Sequence, residues 1–124
     1  MKFVLDACVA VSALRPREPY FEITRPRIKR VLTARDAPTV PAIFEAEVIA
    51  SLTKHEVTYR TRRPTSTRCY RSAPSRRYGK LAAETGLKAA DAIYAQLAVR
   101  LDTKLLTVDE QLLRLTPDGR AQRP

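Results

Sequence analysis

The chain has 124 residues, with 23 Lys and Arg against 13 Asp and Glu, a formal net charge of +10 and 44% hydrophobic residues. That length holds one core rather than two, so residues 1–124 are read as a single domain. The apolar content excludes a disordered polyelectrolyte, and no stretch approaches the roughly 18 uncharged apolar residues of a membrane-spanning helix.

Phe3-Val4-Leu5 is a short apolar run ending in Asp6, and Val9 to Leu14 continues as a segment of small apolar residues. The pattern predicts a buried strand followed by a helix. Asp6 interrupts this run and no second basic residue precedes it, which argues against a secretory signal and for a cytoplasmic protein. Pro16 and Pro19 mark a loop, and Pro26 is placed to open a helix with Ile28, Val31 and Leu32 on one side. Thr39-Val40, before Pro41, is a second short strand. Ala42 to Lys54 lacks Gly and Pro and repeats Phe44, Val48 and Leu52 every fourth residue, which is a helical spacing.

The charge is concentrated in the next stretch. Val57 to Lys80 holds seven Arg and one Lys with no acid, and so carries +8 of the +10. Arg60, Arg62, Arg63, Arg68, Arg71, Arg76 and Arg77 are candidate nucleic-acid contacts, because cations that neutralise phosphates release counterions. From Thr58 to Arg77 the sequence crowds Arg, Ser, Thr and Pro without an apolar period, and an irregular surface segment is expected. It reads either as a basic RNA-binding arm or as a stretch whose coding sequence has been altered. Cys8, Cys69 and the single His55 are too few ligands for a structural zinc site.

Tyr78 to Glu84 fits a short helix ended by Gly86. Leu87 to Leu101 is the clearest helix, with Leu87, Ala90, Tyr94, Leu97, Ala98 and Leu101 on one arc. Lys104 to Val108 is a strand, and Asp109 can cap the helix that follows. Strand–helix alternation of this kind is α/β, with a mostly parallel sheet covered by helices on both faces. Ligands gather at the carboxyl ends of such strands, where Asp6 and Asp109 would sit.

Several acids here need an explanation. On a helical wheel Asp91 lies about 70° from the centre of the apolar arc, so its carboxylate is half buried. Desolvating an ion there costs several kcal/mol unless a cation compensates, and the helix dipole returns only about 0.3–1 kcal/mol. Asp109 is an ordinary N-cap candidate, whereas Asp6 has no capping task unless a helix starts at once. Glu45 and Glu47 lie about 200° apart on their helix, so they cannot both face one site, and the wheel does not choose between them. Carboxylates clustered at one sheet edge repel, and persist as anions around a hard cation such as Mg²⁺ or Mn²⁺. That chemistry points to hydrolysis of a phosphodiester.

Four segments, Phe3-Val4-Leu5-Asp6-Ala7-Cys8-Val9, Val40-Pro41 with Glu47-Val48 and Leu52, Ala90-Asp91-Ala92-Ile93-Tyr94-Ala95, and Leu105-Leu106-Thr107-Val108-Asp109, together resemble the PIN domain in order and spacing. The resemblance covers about residues 2–56 and 78–114, and within the family the chain resembles the VapC-type toxins of toxin–antitoxin pairs. It implies a three-layer α/β/α fold, a divalent metal, Mg²⁺ or Mn²⁺, held by Asp6, Glu47, Asp91 and Asp109, and endoribonuclease activity. It implies further that Thr107 and Ser12 supply hydroxyls that orient these acids, that Glu45 is a neighbour, and that His55 has no catalytic place. The expected partners are an RNA substrate, a small antitoxin protein and a second copy of the chain, with no membrane. The competing reading is a non-catalytic, basic nucleic-acid-binding protein on a degenerate PIN fold. It accounts for the charge but not for Asp91.

Overall fold

The computed structural model describes residues 2–54, 68–70 and 75–124. His55, Arg60, Arg62, Arg63 and Arg71 lie outside the described residues, as do the side chains of Cys69 and Arg76.

Strands β1 (Phe3–Leu5), β2 (Thr39–Pro41), β3 (Arg68–Tyr70), β4 (Lys104–Leu106) and β5 (Ala121–Gln122) form one sheet in the order β3-β2-β1-β4-β5. Every pairing is parallel. The expected α/β architecture is therefore present, and the sheet is wholly rather than mostly parallel. β1 lies at its centre with Phe3, Val4 and Leu5 all buried, as a strand covered on both faces requires. Helices flank the sheet. α1 (Ala7–Leu14) packs on α2 (Phe21–Leu32) and α3 (Phe44–Thr53), while α4 (Ser75–Thr85) packs on α5 (Ala89–Arg100), which rests on β1, β2 and β4. α6 (Glu110–Leu115) closes against β5.

The core draws on both helical groups: Val9 and Ala13 of α1, Val48 and Leu52 of α3, and Ala92, Tyr94, Leu97 and Ala98 of α5. At Gly86 the chain leaves α4 with φ +77°, a conformation open to glycine, and its N–H donates to the Ala82 carbonyl at 2.9 Å.

Several expectations change. α2 begins at Phe21, so Pro26 sits inside the helix rather than opening it, and Leu32 points to solvent while Ile28 and Val31 are buried. Leu101 falls just beyond α5 and is exposed. The stretch from Thr58 to Arg77 is not irregular throughout. Arg68-Cys69-Tyr70 pairs with β2 as an edge strand, and Ser75 to Arg77 form the first turn of α4. Pairing with a neighbour already in place is enough to hold so short a strand. The C-terminal β5 carries too few residues for any period to show. Among the described residues, no helix is long and apolar enough to cross a membrane.

Where α2 gives way to β2, Asp36 is buried between two guanidinium groups. Its Oδ2 accepts from Arg30 Nε at 2.9 Å and Arg27 Nη1 at 3.2 Å, and its Oδ1 accepts from Arg30 Nη2 at 3.1 Å. These bonds hold the Asp36 carboxyl below the usual range.

Candidate active site

The carboxyl edge of the sheet is built around Asp6. The ladder runs one residue past β1, since the Asp6 N–H donates to the Leu106 carbonyl at 3.1 Å, which sets Asp6 beside Thr107. α1 starts immediately after, and Asp6 Oδ1 caps it by accepting from the Cys8 N–H at 3.4 Å. Asp6 thus has the capping role that a strand end alone did not suggest. A cap uses one oxygen. The other, Oδ2, accepts from the Thr107 hydroxyl at 2.6 Å and from the Cys8 thiol at 2.8 Å.

Thr107 links two of the acids. Besides donating to Asp6, its Oγ1 accepts from the Asp109 N–H at 3.0 Å, and Asp109 Oδ1 accepts from the Leu112 N–H at 3.0 Å as the cap of α6. Glu47 comes from the first turn of α3 and accepts a hydrogen bond from the Tyr94 hydroxyl of α5. Asp91 stands in the first turn of α5, half buried as the helical wheel predicts.

Electrostatics set this cluster apart. Burial pushes the Asp6 carboxyl above its ordinary range against the pull of its Cys8 and Thr107 hydrogen bonds, and the charge of Asp109 adds to the rise. Glu47 is raised by burial and by Asp6 and Asp91, partly offset by the Tyr94 hydroxyl. Asp91 is raised by burial, Asp109 and Asp6, with Lys88 opposing. Asp6, Glu47 and Asp91 are thus held in positions that disfavour their anions, and neighbouring acids add to the effect. The Cys8 thiol is raised by burial and then by Asp6, so it remains a donor rather than a nucleophile.

Asp6, Glu47, Asp91 and Asp109 line one cavity of about 490 Å³, together with Cys8, Ser12, Arg15, Glu18 and Tyr20. The structure thus brings together the four acids predicted from sequence. Thr107 lies behind Asp6, fully buried, where it orients the carboxylate. Ser12 lines the cavity, but its hydroxyl accepts from Thr24 of α2 at 3.4 Å. Glu45 is not among the lining residues. Of the described arginines, Arg68 is exposed on the edge strand, and Arg77 borders a separate hollow with Lys80 and Glu84. Neither reaches the acidic cavity.

Four lining or supporting residues were not legible from sequence as parts of the site: Tyr94, hidden among apolar neighbours on its arc, and Cys8, Arg15 and Glu18. Arg15 and Glu18 stand three apart in the loop marked by Pro16 and Pro19, and that spacing is the signal the sequence offers.

An oxygen-rich set of mutually repelling carboxylates suits a hard divalent cation. Among the described residues, no three acid, Cys or His side chains close into a ready-made coordination shell. Hydrogen bonds account for this spacing, since Glu47 is drawn to Tyr94, Asp109 to its helix cap, and Asp6 to Thr107 and Cys8. The donor chemistry fits Mg²⁺ in particular, which keeps several of its waters and needs few direct protein ligands.

Comparison with known proteins agrees with this architecture. The family model of the PIN domain matches residues 3–116. The crystal structure of PAE2754 from Pyrobaculum aerophilum superposes with a TM-score of 0.71 over 98% of this chain and 83% of that one, at 21% identity, and so shares the fold. No curated protein sequence matches. PIN domains are in general nucleases that use divalent metal ions. With the family model spanning nearly the whole chain and the fold in accord, this protein belongs to the PIN domain family.

Proposed function

We propose that the protein is a Mg²⁺- or Mn²⁺-dependent endoribonuclease, with Asp6, Glu47, Asp91 and Asp109 as its metal-holding and catalytic acids. The observation that carries this reading is the convergence of Asp6, Glu47, Asp91 and Asp109 on one cavity, where burial and neighbouring acids push Asp6, Glu47 and Asp91 up. Evenly distributed structural acids do not accumulate such mutual repulsion.

Each side chain has a task. Thr107 and Cys8 donate to the same oxygen of Asp6 and fix its plane, leaving the other oxygen lightly held by the Cys8 amide at 3.4 Å. Tyr94 keeps its proton, because burial and then Glu47 raise its hydroxyl, so it orients Glu47 as a donor at any working pH. Asp91 contributes a half-buried negative charge at the mouth of α5. Asp6, Glu47, Asp91 and Asp109 would hold a divalent ion, which when bound would supply an activated water and charge stabilisation for the leaving oxygen of the phosphodiester. The apolar wall of Ala7, Val11 and Val108 limits water on one side of the cavity.

The further reading is a VapC-type toxin of the cytoplasm, acting as a homodimer and restrained by a small antitoxin. It rests on the segments around Asp6, Glu47, Asp91 and Asp109 that resemble that group. The test is incubation of the purified protein with a long single-stranded RNA and Mn²⁺, with EDTA as control. Metal-dependent internal cleavage supports the reading. Salt-sensitive RNA binding without cleavage favours the basic, non-catalytic alternative. Growth arrest on expression, relieved by a neighbouring small gene, tests the toxin assignment separately.

A further inference from the structure

The acidic cavity poses a problem for its own substrate. An RNA strand entering it meets the carboxylates of Asp6, Glu47, Asp91, Asp109 and Glu18, each of which repels a phosphate. Among the described residues that line it, Arg15 is the one that carries a positive charge. Arg15 ends α1, in the loop that leads to α2, and its side chain is 24% exposed. The loop is well fixed. The Arg15 N–H donates to Ser12, the Glu18 N–H to the Arg15 carbonyl at 2.9 Å and the Phe21 N–H to the Glu18 carbonyl at 3.1 Å, with Pro16 and Pro19 restricting the backbone between them. Its guanidinium group is paired with Glu18, which lines the same cavity.

We propose that Arg15 is the substrate-positioning cation of the site, holding a backbone phosphate of the RNA, and that Glu18 is the counterion this phosphate displaces. The inference rests on the ribonuclease reading of the cavity and adds the group that recognises the polyanion. A guanidinium presents a planar fork that matches two phosphate oxygens, so a phosphate replaces a carboxylate without any change in donor geometry. The exchange is feasible because the pair is partly exposed, with Glu18 29% exposed, and a pair in contact with water is weak. In the free protein Glu18 occupies the guanidinium that the phosphate would take. The two residues therefore have opposite effects on RNA affinity, which a merely structural ion pair would not show.

The test measures binding and turnover in parallel. A short fluorescein-labelled single-stranded RNA of mixed sequence is titrated with protein in Ca²⁺, which fills oxygen sites, over a series of salt concentrations. KM and kcat for cleavage are measured in Mn²⁺. Arg15→Ala is expected to raise Kd and KM about tenfold, with kcat within about threefold of wild type. The slope of log Kd against log salt should fall by about 0.7, the loss of one phosphate contact. Arg15→Lys keeps the charge but not the fork, and should restore the slope while leaving affinity intermediate. Glu18→Gln is expected to tighten binding about threefold, whereas Glu22→Gln, the same change on an exposed residue of α2 away from the cavity, should leave it unchanged. Wild-type Kd and slope in Arg15→Ala would overturn the inference, as would weaker binding in Glu18→Gln. If Arg15→Ala fails to fold, Arg15→Lys and Glu18→Gln decide. Absence of wild-type cleavage would sink the ribonuclease reading instead, while the binding measurements still decide on Arg15.

Discussion

Two buried aspartates, Asp6 at 6% exposure and Asp36 at 2%, meet the cost of burial in opposite ways. Asp36 has Arg27 and Arg30 on its oxygens and its pKa is lowered, whereas Asp6 has only neutral donors, lies near other acids, and its pKa is raised. One site is complete as folded. The other is left with excess negative charge, a penalty that the proposed divalent cation would offset. The contrast separates an acid paired with cations of the chain from acids that the chain itself leaves without one.

The sharpest way to break this contrast is to neutralise one acid on each side of it. Asp91→Asn should lower Mn²⁺-dependent RNA cleavage by at least about a hundredfold, since the charge that holds the ion is gone. In the absence of metal the same variant should melt no lower than wild type, because a half-buried, repelled anion has been removed. Thr107→Val removes the hydroxyl that orients Asp6 and should cost roughly tenfold to a hundredfold in activity or in Mn²⁺ requirement. Asp36→Asn should do the reverse of Asp91→Asn. Cleavage per folded molecule should stay near wild type while Tm drops by roughly 5 °C, read by thermal melting.

A smaller effect sharpens the comparison through pH. The folded metal-free protein binds more protons than the unfolded chain at Asp6, Glu47 and Asp91, because their pKa values are raised. Their contribution to stability is thus fully present below the ordinary carboxylate range near pH 4 and is lost as pH rises above it. Asp36, lowered, contributes above that range and loses its contribution on acidification. Melts of metal-free protein should therefore show Tm falling between mildly acidic and neutral pH, and Asp91→Asn should flatten that fall.

Much of this organisation was legible in the sequence, where short-range pattern and final structure agree. Phe3-Val4-Leu5 needed only to be apolar to become the central strand, and the four-residue spacing of Val48 and Leu52 placed both in the core. Asp6, Asp91 and Asp109 were legible because strand ends and the first turns of helices in a parallel sheet converge on one edge, whereas the choice of Glu47 over Glu45 came only from the resemblance to the PIN domain. Less accessible were features that depend on distant partners. β3 and β5 are strands because β2 and β4 offer them hydrogen bonds, not because Arg68-Cys69-Tyr70 or Ala121-Gln122 has a strand pattern. Tyr94 read as one more core residue, and only the fold shows its hydroxyl meeting Glu47, 47 positions earlier. Pro26 misplaced the start of α2 because a proline inside a helix and one at its first turn look alike without the neighbouring hydrogen bonds.

Whether a divalent cation balances the acidic edge is read from a thermal melt of the wild-type protein with and without Mn²⁺ at neutral pH. Saturating Mn²⁺ should raise Tm by several degrees, Asp91→Asn should lose most of this shift, and Asp36→Asn should keep it from a lower starting point. An unchanged Tm in the wild type, or an equal Mn²⁺ shift in Asp91→Asn, would contradict that balance.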